Sequence, residues 1–179
     1  MEGFRRLKRE LVAKGHMIEY YQDTMQIPNG NTAVWDFIRH NGAAAVVAVR
    51  GDGKLLMVRQ YRNALERETL EIPAGGLNGE QEATETAAYR ELREETGFGC
   101  RKMEFLLTLR STVAFCNEKI DIYVASGLVP GEQHLDENEF IQVEAYTPQE
   151  LTEMIYAGTI QDSKTVCGIL AYVKKYGVS

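Results

Sequence analysis

Residues 76–98 read GLNGEQEATETAAYRELREETGF, from Gly76 to Phe98. The middle of this stretch has helix character: Ala87, Ala88 and Leu92 sit among many Glu and Arg, with no Pro or Gly until Gly97. Gly97 suits the position just past a helix, because only Gly takes the left-handed cap at little cost. At about 100° per residue, Glu91 lies about 40° from Glu95 and about 60° from Glu94. The three carboxylates share one edge, which abuts Ala88 and Leu92, so they are expected to be partly buried. Like charges at this spacing repel by about 0.2–0.5 kcal/mol per pair, and burial adds to the cost. Arg90 and Arg93 relieve only part of it. A hard divalent cation relieves it well, since Mg²⁺ takes carboxylate oxygens while keeping waters and substrate phosphates. Taken alone, the Glu-x-x-Glu-Glu spacing also suits a solvated charged face.

The surrounding chain bounds the answer. Its 179 residues are about one domain's worth, 44% hydrophobic and 26% charged. No apolar run approaches the roughly 18 residues of a membrane span, and the N-terminus, MEGFRRLKRELVAKGH, lacks the apolar core of a signal peptide. Cys100, Cys116 and Cys167 are widely spaced, with no C-x-x-C pair, and read as small buried hydrophobes in a reducing cytoplasm. A formal charge of −6 argues against nucleic acid as a partner. It would also repel a diphosphate, so something cationic must intervene locally.

In chain order, residues 14–39 read as a separate antiparallel unit. Met17–Tyr21 and Met25–Ile27 are strand-like, Pro28-Asn29-Gly30-Asn31 is a turn, and Thr32–Arg39 alternates with Ala33, Trp35 and Phe37 on one side. Three strands this short must pack on something larger, either the rest of the chain or a second subunit. Trp35 reads as core filling or as a stacking surface for a ligand. Ala43–Arg50 is an apolar run, Gly51-Asp52-Gly53 a hairpin turn, and Lys54–Arg59 the returning strand. Arg62, just beyond it, is either a surface residue or a bidentate phosphate ligand. Leu70–Gly76 then enters the helix, with Pro73 removing a donor and Gly75-Gly76 freeing the chain to turn, which offers a carbonyl to a metal.

Met103–Ser111, Ile120–Ala125 and Phe140–Tyr146 read as strands. A helix starts at Pro148 and ends by Gly158, and the last helix spans about Ser163 to Tyr176. The order implies an α+β fold, a mixed sheet sandwiched by helices. Between strands lies the acidic loop Leu135-Asp136-Glu137-Asn138-Glu139-Phe140. Such a loop is either solvated or, beside a metal, the source of a general base or a further ligand. Glu137 and Glu139 are two apart, so strand alternation does not separate them.

The whole stretch from Gly76 fixes nine positions over twenty-three residues, a pattern whose chance occurrence is on the order of 10⁻⁷ at average residue usage. It resembles the Nudix box, G-x5-E-x7-R-E-U-x-E-E-x-G-U with U aliphatic or aromatic, at every fixed position. The resemblance covers about residues 14–176 and is strongest to the ADP-ribose pyrophosphatase branch. The further matches are the Pro-Asn-Gly turn, Arg59-Gln60-Tyr61-Arg62, Leu70-Glu71-Ile72-Pro73-Ala74-Gly75 and the acidic loop of 136–140.

The resemblance implies a Nudix fold with an N-terminal β subdomain over 1–40 and a catalytic domain over 41–179. It implies hydrolysis of ADP-ribose to AMP and ribose 5-phosphate with two or three Mg²⁺ or Mn²⁺ ions. Metal ligands would be the Ala74 carbonyl, Glu91 and Glu95, with Glu94 and Glu139 as further contacts. Glu137, Glu94 and Arg90 are the candidate catalytic residues, Glu137 as general base. Arg90 also braces the helix with Glu82, between the structural Gly76 and Gly97. Candidate substrate contacts are Trp35, Arg59, Arg62, Glu71, Phe115 and Glu118. A homodimer exchanging its N-terminal strands is implied, acting on a small nucleoside diphosphate sugar in the cytoplasm. One segment departs from the branch: in Thr112–Glu118, Val113 and Ala114 stand where Pro and Gly are usual. GDP-mannose and ADP-glucose are therefore alternative substrates. A non-catalytic binding protein would be expected to have lost box carboxylates, and Glu91, Glu94 and Glu95 are intact.

Overall fold

The Pro28–Asn31 turn closes as its residues dictate. Asn29 Oδ1 accepts from the Asn31 N–H at 3.0 Å, and Gly30 takes a φ of 86°. The computed structural model, which describes residues 3–79, 81–135 and 137–178, places this turn in the first of two units, Met1–Gly42 with Arg110–Lys119. Its sheet has the order β1 (Arg5–Lys14), β2 (Glu19–Gln26) and β3 (Thr32–Arg39), with both pairings antiparallel. By sequence, Met17–Tyr21 and Met25–Ile27 were separate strands; they are largely one, β2, and the third strand is β1. Nearly every residue of β1 is exposed, so it has no buried face and no periodicity to betray it.

Arg9 and Asp23 are directly opposed and paired, through Nε at 2.7 Å and Nη2 at 2.6 Å. The Arg9 guanidinium also lies 3.8 Å from the Phe37 ring centre. The segment 110–119 joins this unit through Ile38 N–H, which donates to the Phe115 carbonyl at 2.7 Å.

The second unit is Ala43–Leu109 with Ile120–Ser179. Its strands are β4 (Ala43–Val49), β5 (Leu55–Arg62), β6 (Arg67–Glu71), β7 (Ala74–Gly76), β8 (Phe98–Arg110), β9 (Lys119–Pro130) and β10 (Gln142–Tyr146). The sheet order is β10-β5-β4-β9-β8, with β6 on β5 and β7 on β4. Pairing of β4 with β9 is parallel and with β5 antiparallel, so the sheet is mixed. The unbroken apolar run of β4 follows from its place: Ala44, Val46 and Ala48 pack with Ala88 and Leu92 of α1 (Thr84–Thr96), while Ala45 and Val47 pack toward Leu151 of α2 (Pro148–Tyr156) and Ile169 of α3 (Ser163–Tyr176). Burying each Val, Leu or Ile of this set contributes about 1.5–3 kcal/mol, and each Ala less. Thr147 and Glu150 form a reciprocal cap for α2, with Pro148 at its first position. The last strand starts at Gln142 rather than Phe140, which is 85% exposed, and β8 starts at Phe98 rather than Met103. Among the described residues no helix is long and apolar enough to cross a membrane.

Candidate active site

Helix α1 ends at Gly97, whose φ is 75° and whose N–H donates to the Arg93 carbonyl. Glu91 and Glu95 lie one turn apart, 8% and 4% exposed, beside Ala88 and Leu92. The neighbouring strand β7 is shaped to them. Ala74 N–H donates to Glu95 Oε2 at 2.9 Å. The Glu91 carboxylate occupies the space over Gly75, where a Cβ would come within 2.1 Å of Oε1. Any other residue at 75 would displace it.

Arg90 ties the loop before the helix to the helix itself. Its Nε and Nη2 donate to Glu82 at 3.1 and 3.2 Å, and Nη2 also to the Gly76 carbonyl at 3.0 Å. Nη1 donates to Glu91 Oε1 at 2.5 Å and to Glu94 Oε2 at 3.1 Å. Glu82 takes a further bond from Asn78 N–H at 2.6 Å. Arg90 and Glu82 therefore brace the site. Glu94 faces outward and is the more accessible of the three helix carboxylates.

Two buried carboxylates in this unit end up on opposite sides of neutrality. Glu71 is 2% exposed, and burial by itself would push its carboxyl up. Arg62 at 2.7 and 2.6 Å, Lys164 at 2.5 Å and Thr69 at 2.6 Å hold it down at about 2. Glu95 is pushed by burial up to about 8; the Ala74 N–H resists this, while Glu91 and Glu139 add repulsion. Burial also raises the Glu91 carboxyl, against the pull of Arg90 and with a further push from Glu94 and Glu139. The difference is one of contact. Glu71 is hydrogen-bonded by Arg62 and Lys164, and Glu91 has Arg90, which Glu82 and Glu94 share. Glu95 takes its hydrogen bond from the Ala74 amide, with Lys164 acting on it only electrostatically.

An all-oxygen set of buried, under-compensated carboxylates fits a hard divalent cation such as Mg²⁺ or Mn²⁺. Among the described residues no three acidic, His or Cys side chains already converge on one point. Glu91 leans on Arg90 and Glu95 on the Ala74 amide, so gathering them requires a side-chain turn.

The other candidates are placed as follows. Glu139 acts electrostatically on both Glu91 and Glu95. Glu137 is exposed in the same loop, and Asp136 lies outside the described residues. Arg62 and Glu71 are engaged with each other. Arg59 pairs with Glu144 at 2.5 and 3.2 Å, and the Tyr146 hydroxyl also donates to Glu144. Trp35, Phe115 and Glu118 belong to the first unit. Trp35 is 46% exposed beside the Phe4 ring, which removes it from core filling there. Glu118 accepts from the Ser111 hydroxyl and lies 3.6 Å from His40 Nδ1.

Sequence reasoning missed Lys164, which bonds the buried Glu71. The available signal was Asp162, three residues before Thr165: its side chain accepts from Thr165 N–H at 3.0 Å and from Lys164 Nζ at 2.9 Å.

Residues 39–167 match the model of the NUDIX domain. The chain belongs to the Nudix family. By family it is a Nudix hydrolase, and the helix of Glu91, Glu94 and Glu95 lies within the stretch Gly76–Phe98 that resembles the Nudix box. It is 39% identical over 165 residues to a methanol dehydrogenase activator of Bacillus methanolicus, covering 91% of this chain and 89% of the relative. It is 33% identical to the ADP-ribose pyrophosphatase of Bacillus subtilis (strain 168), with the same coverage. A crystal structure of an ADP compounds hydrolase superposes with a TM-score of 0.88 over 99% of this chain and 97% of that one. At 24% identity that likeness shows the fold, a Nudix fold with a mixed sheet, helices and an antiparallel N-terminal sheet.

Proposed function

We propose that this Nudix hydrolase cleaves the diphosphate of ADP-ribose, giving AMP and ribose 5-phosphate. The observation that carries the metal-dependent chemistry is the buried Glu91–Glu95 edge, pressed against Gly75 and short of cationic partners. Two or three Mg²⁺ or Mn²⁺ ions, held by Glu91, Glu95 and the Ala74 carbonyl with Glu94 and Glu139 as further contacts, would neutralise the diphosphate and polarise the attacked phosphorus. Glu137 takes the proton of the attacking water. Arg90 keeps Glu91 and Glu94 in register on the helix, while Glu71, itself bonded by Lys164, holds Arg62 at the end of β5. Trp35, Arg59, Arg62, Glu71, Phe115 and Glu118 are assigned to substrate recognition, Glu71 through its pairing with Arg62. The work is done in the cytoplasm, by a homodimer joined through the N-terminal strands. Exposed Leu7, Leu11, Val34 and Trp35 on that small sheet support an apolar partner surface.

ADP-ribose is favoured by the similarity to the Bacillus subtilis pyrophosphatase. Val113 and Ala114 keep GDP-mannose and ADP-glucose as competitors. A second reading has its own support: the 39% identical relative is named for activating methanol dehydrogenase. In that reading the chain acts upon a partner dehydrogenase. A panel of nucleoside diphosphate sugars with Mg²⁺, read by phosphate release after phosphatase coupling, tests the proposal. ADP-ribose should show the highest kcat/KM. A higher value for GDP-mannose or ADP-glucose would move the substrate assignment, and no turnover on any of them would favour the second reading.

A further inference from the structure

The loop after β9 rests on the C-terminal end of α1. Gln133 Nε2 donates to the Glu95 carbonyl at 2.6 Å, and His134 N–H donates to the Glu94 carbonyl at 3.0 Å. The last carbonyls of a helix have no partner within it, so the loop supplies what the helix lacks. Gly97 permits the approach: a Cβ there would lie 3.0 Å from Gln133 N and 3.3 Å from the Gly131 carbonyl oxygen. The residue that ends the box helix must therefore be glycine for its φ and again for the loop's contact.

This anchor lies just upstream of the acidic residues. At a maximum of roughly 3.5 Å per residue, Glu137 stays within about 14 Å of Gln133 and Glu139 within about 21 Å. The atoms it grips are the backbone of Glu94 and Glu95, whose side chains belong to the candidate metal site. Glu139, six residues on, is felt electrostatically at Glu91 and Glu95. Residues 133–134 and the end of α1 are tied by two hydrogen bonds at this end.

We propose that Gln133 is a positioning residue: its bond to the Glu95 carbonyl tethers the acidic loop to the metal helix and sets where Glu137 and Glu139 stand relative to Glu91 and Glu95. The inference rests on the hydrolase reading above. Gln133 is exposed, so truncating it removes no core packing.

The test uses the full chain with Gln133→Ala and Gln133→Glu. The second variant keeps the length, lacks a donor when ionised and sets a negative charge against a helix C-terminus. Both are expected to lose about tenfold or more in kcat, with KM within about twofold, as a displaced reactive group costs rate more than binding. Amide hydrogen exchange over residues 131–135 should quicken in both, while residues 87–92 of α1 exchange as in the wild type. Combined with the more damaging of Glu137→Gln and Glu139→Gln, Gln133→Ala should cost less than about threefold, because the group it misplaces is already disabled. The tether is refuted if kcat stays within about twofold of wild type, if exchange over 131–135 is unchanged, or if the loss is undiminished in both Glu→Gln backgrounds. If the wild-type chain turns over no nucleoside diphosphate sugar, the hydrolase reading fails by itself, and the exchange data alone decide the tether.

Discussion

Glu71 and Glu95 are buried to nearly the same degree, yet their carboxyl groups are held at about 2 and about 8. This has opposite consequences for stability. Glu71 sits below its ordinary value of 4.5, so its stabilising contribution is complete above about pH 4.5 and fades as the pH falls toward 2. Glu95 sits above that value, so between about pH 4.5 and 8 the folded state holds a proton the unfolded chain has released. Without metal, stability should therefore fall as the pH rises through that window, by roughly 1.4 kcal/mol per unit at the steepest. Thermal melts in EDTA from pH 5 to 8 should show the fall, and Glu95→Gln should flatten it and raise Tm at pH 8; an unchanged slope in the variant would show that another group is responsible. The two acidic-loop residues separate by readout. Glu137→Gln should lower kcat with metal affinity kept, and Glu139→Gln should weaken metal affinity in calorimetry. The reverse pattern would swap their roles, and two active variants would leave Glu94 as the next candidate base. At this scale the sequence was legible where spacing alone sets geometry, as with Glu91 and Glu95. It was silent on Lys164, whose role depends on Glu71, ninety-three residues away.

Among the elements, those with two covered faces or strong end signals were readable. The Ala43–Val49 strand shows as an unbroken apolar run, and α2 shows through Pro148. The exposed strand β1 carries no pattern, and β6 and β7 are too short to have one. Strand β7 is nevertheless the element that shapes the site, through Gly75. Gly75→Ala is expected to leave the fold largely intact and to force the Glu91 carboxylate aside, since the Cβ would come within 2.1 Å of it. The loss should appear as weaker apparent Mg²⁺ affinity and lower kcat; wild-type values for both would mean that Glu91 does not work from its place over Gly75. Leu92→Ala, by contrast, opens a hole beneath α1 and should cost about 2–5 kcal/mol in chemical denaturation, because Leu92 is fully buried against the sheet.

At the scale of the whole molecule, the first unit has three strands that leave Leu7, Leu11, Val12, Val34 and Trp35 exposed. A sheet this small has too little core to stand alone. Deleting residues 1–39 is expected to abolish self-association or to yield aggregate, and to raise KM. A truncated chain of unchanged mass in solution and unchanged KM would remove the N-terminal strands from both roles. The fold class was legible from element order and the box, while the joining of 110–119 to the first unit was not, since it depends on backbone bonds from Ile38 to residues far along the chain. Central to the whole account is that the buried edge of α1 exists to hold a divalent cation for hydrolysis. The most direct measurement is kcat of Glu95→Gln on ADP-ribose at saturating Mg²⁺, with circular dichroism to confirm folding. A folded variant slower by more than about 100-fold is the expected result; a folded variant turning over at close to the wild-type rate would contradict the assignment of this edge as the metal site.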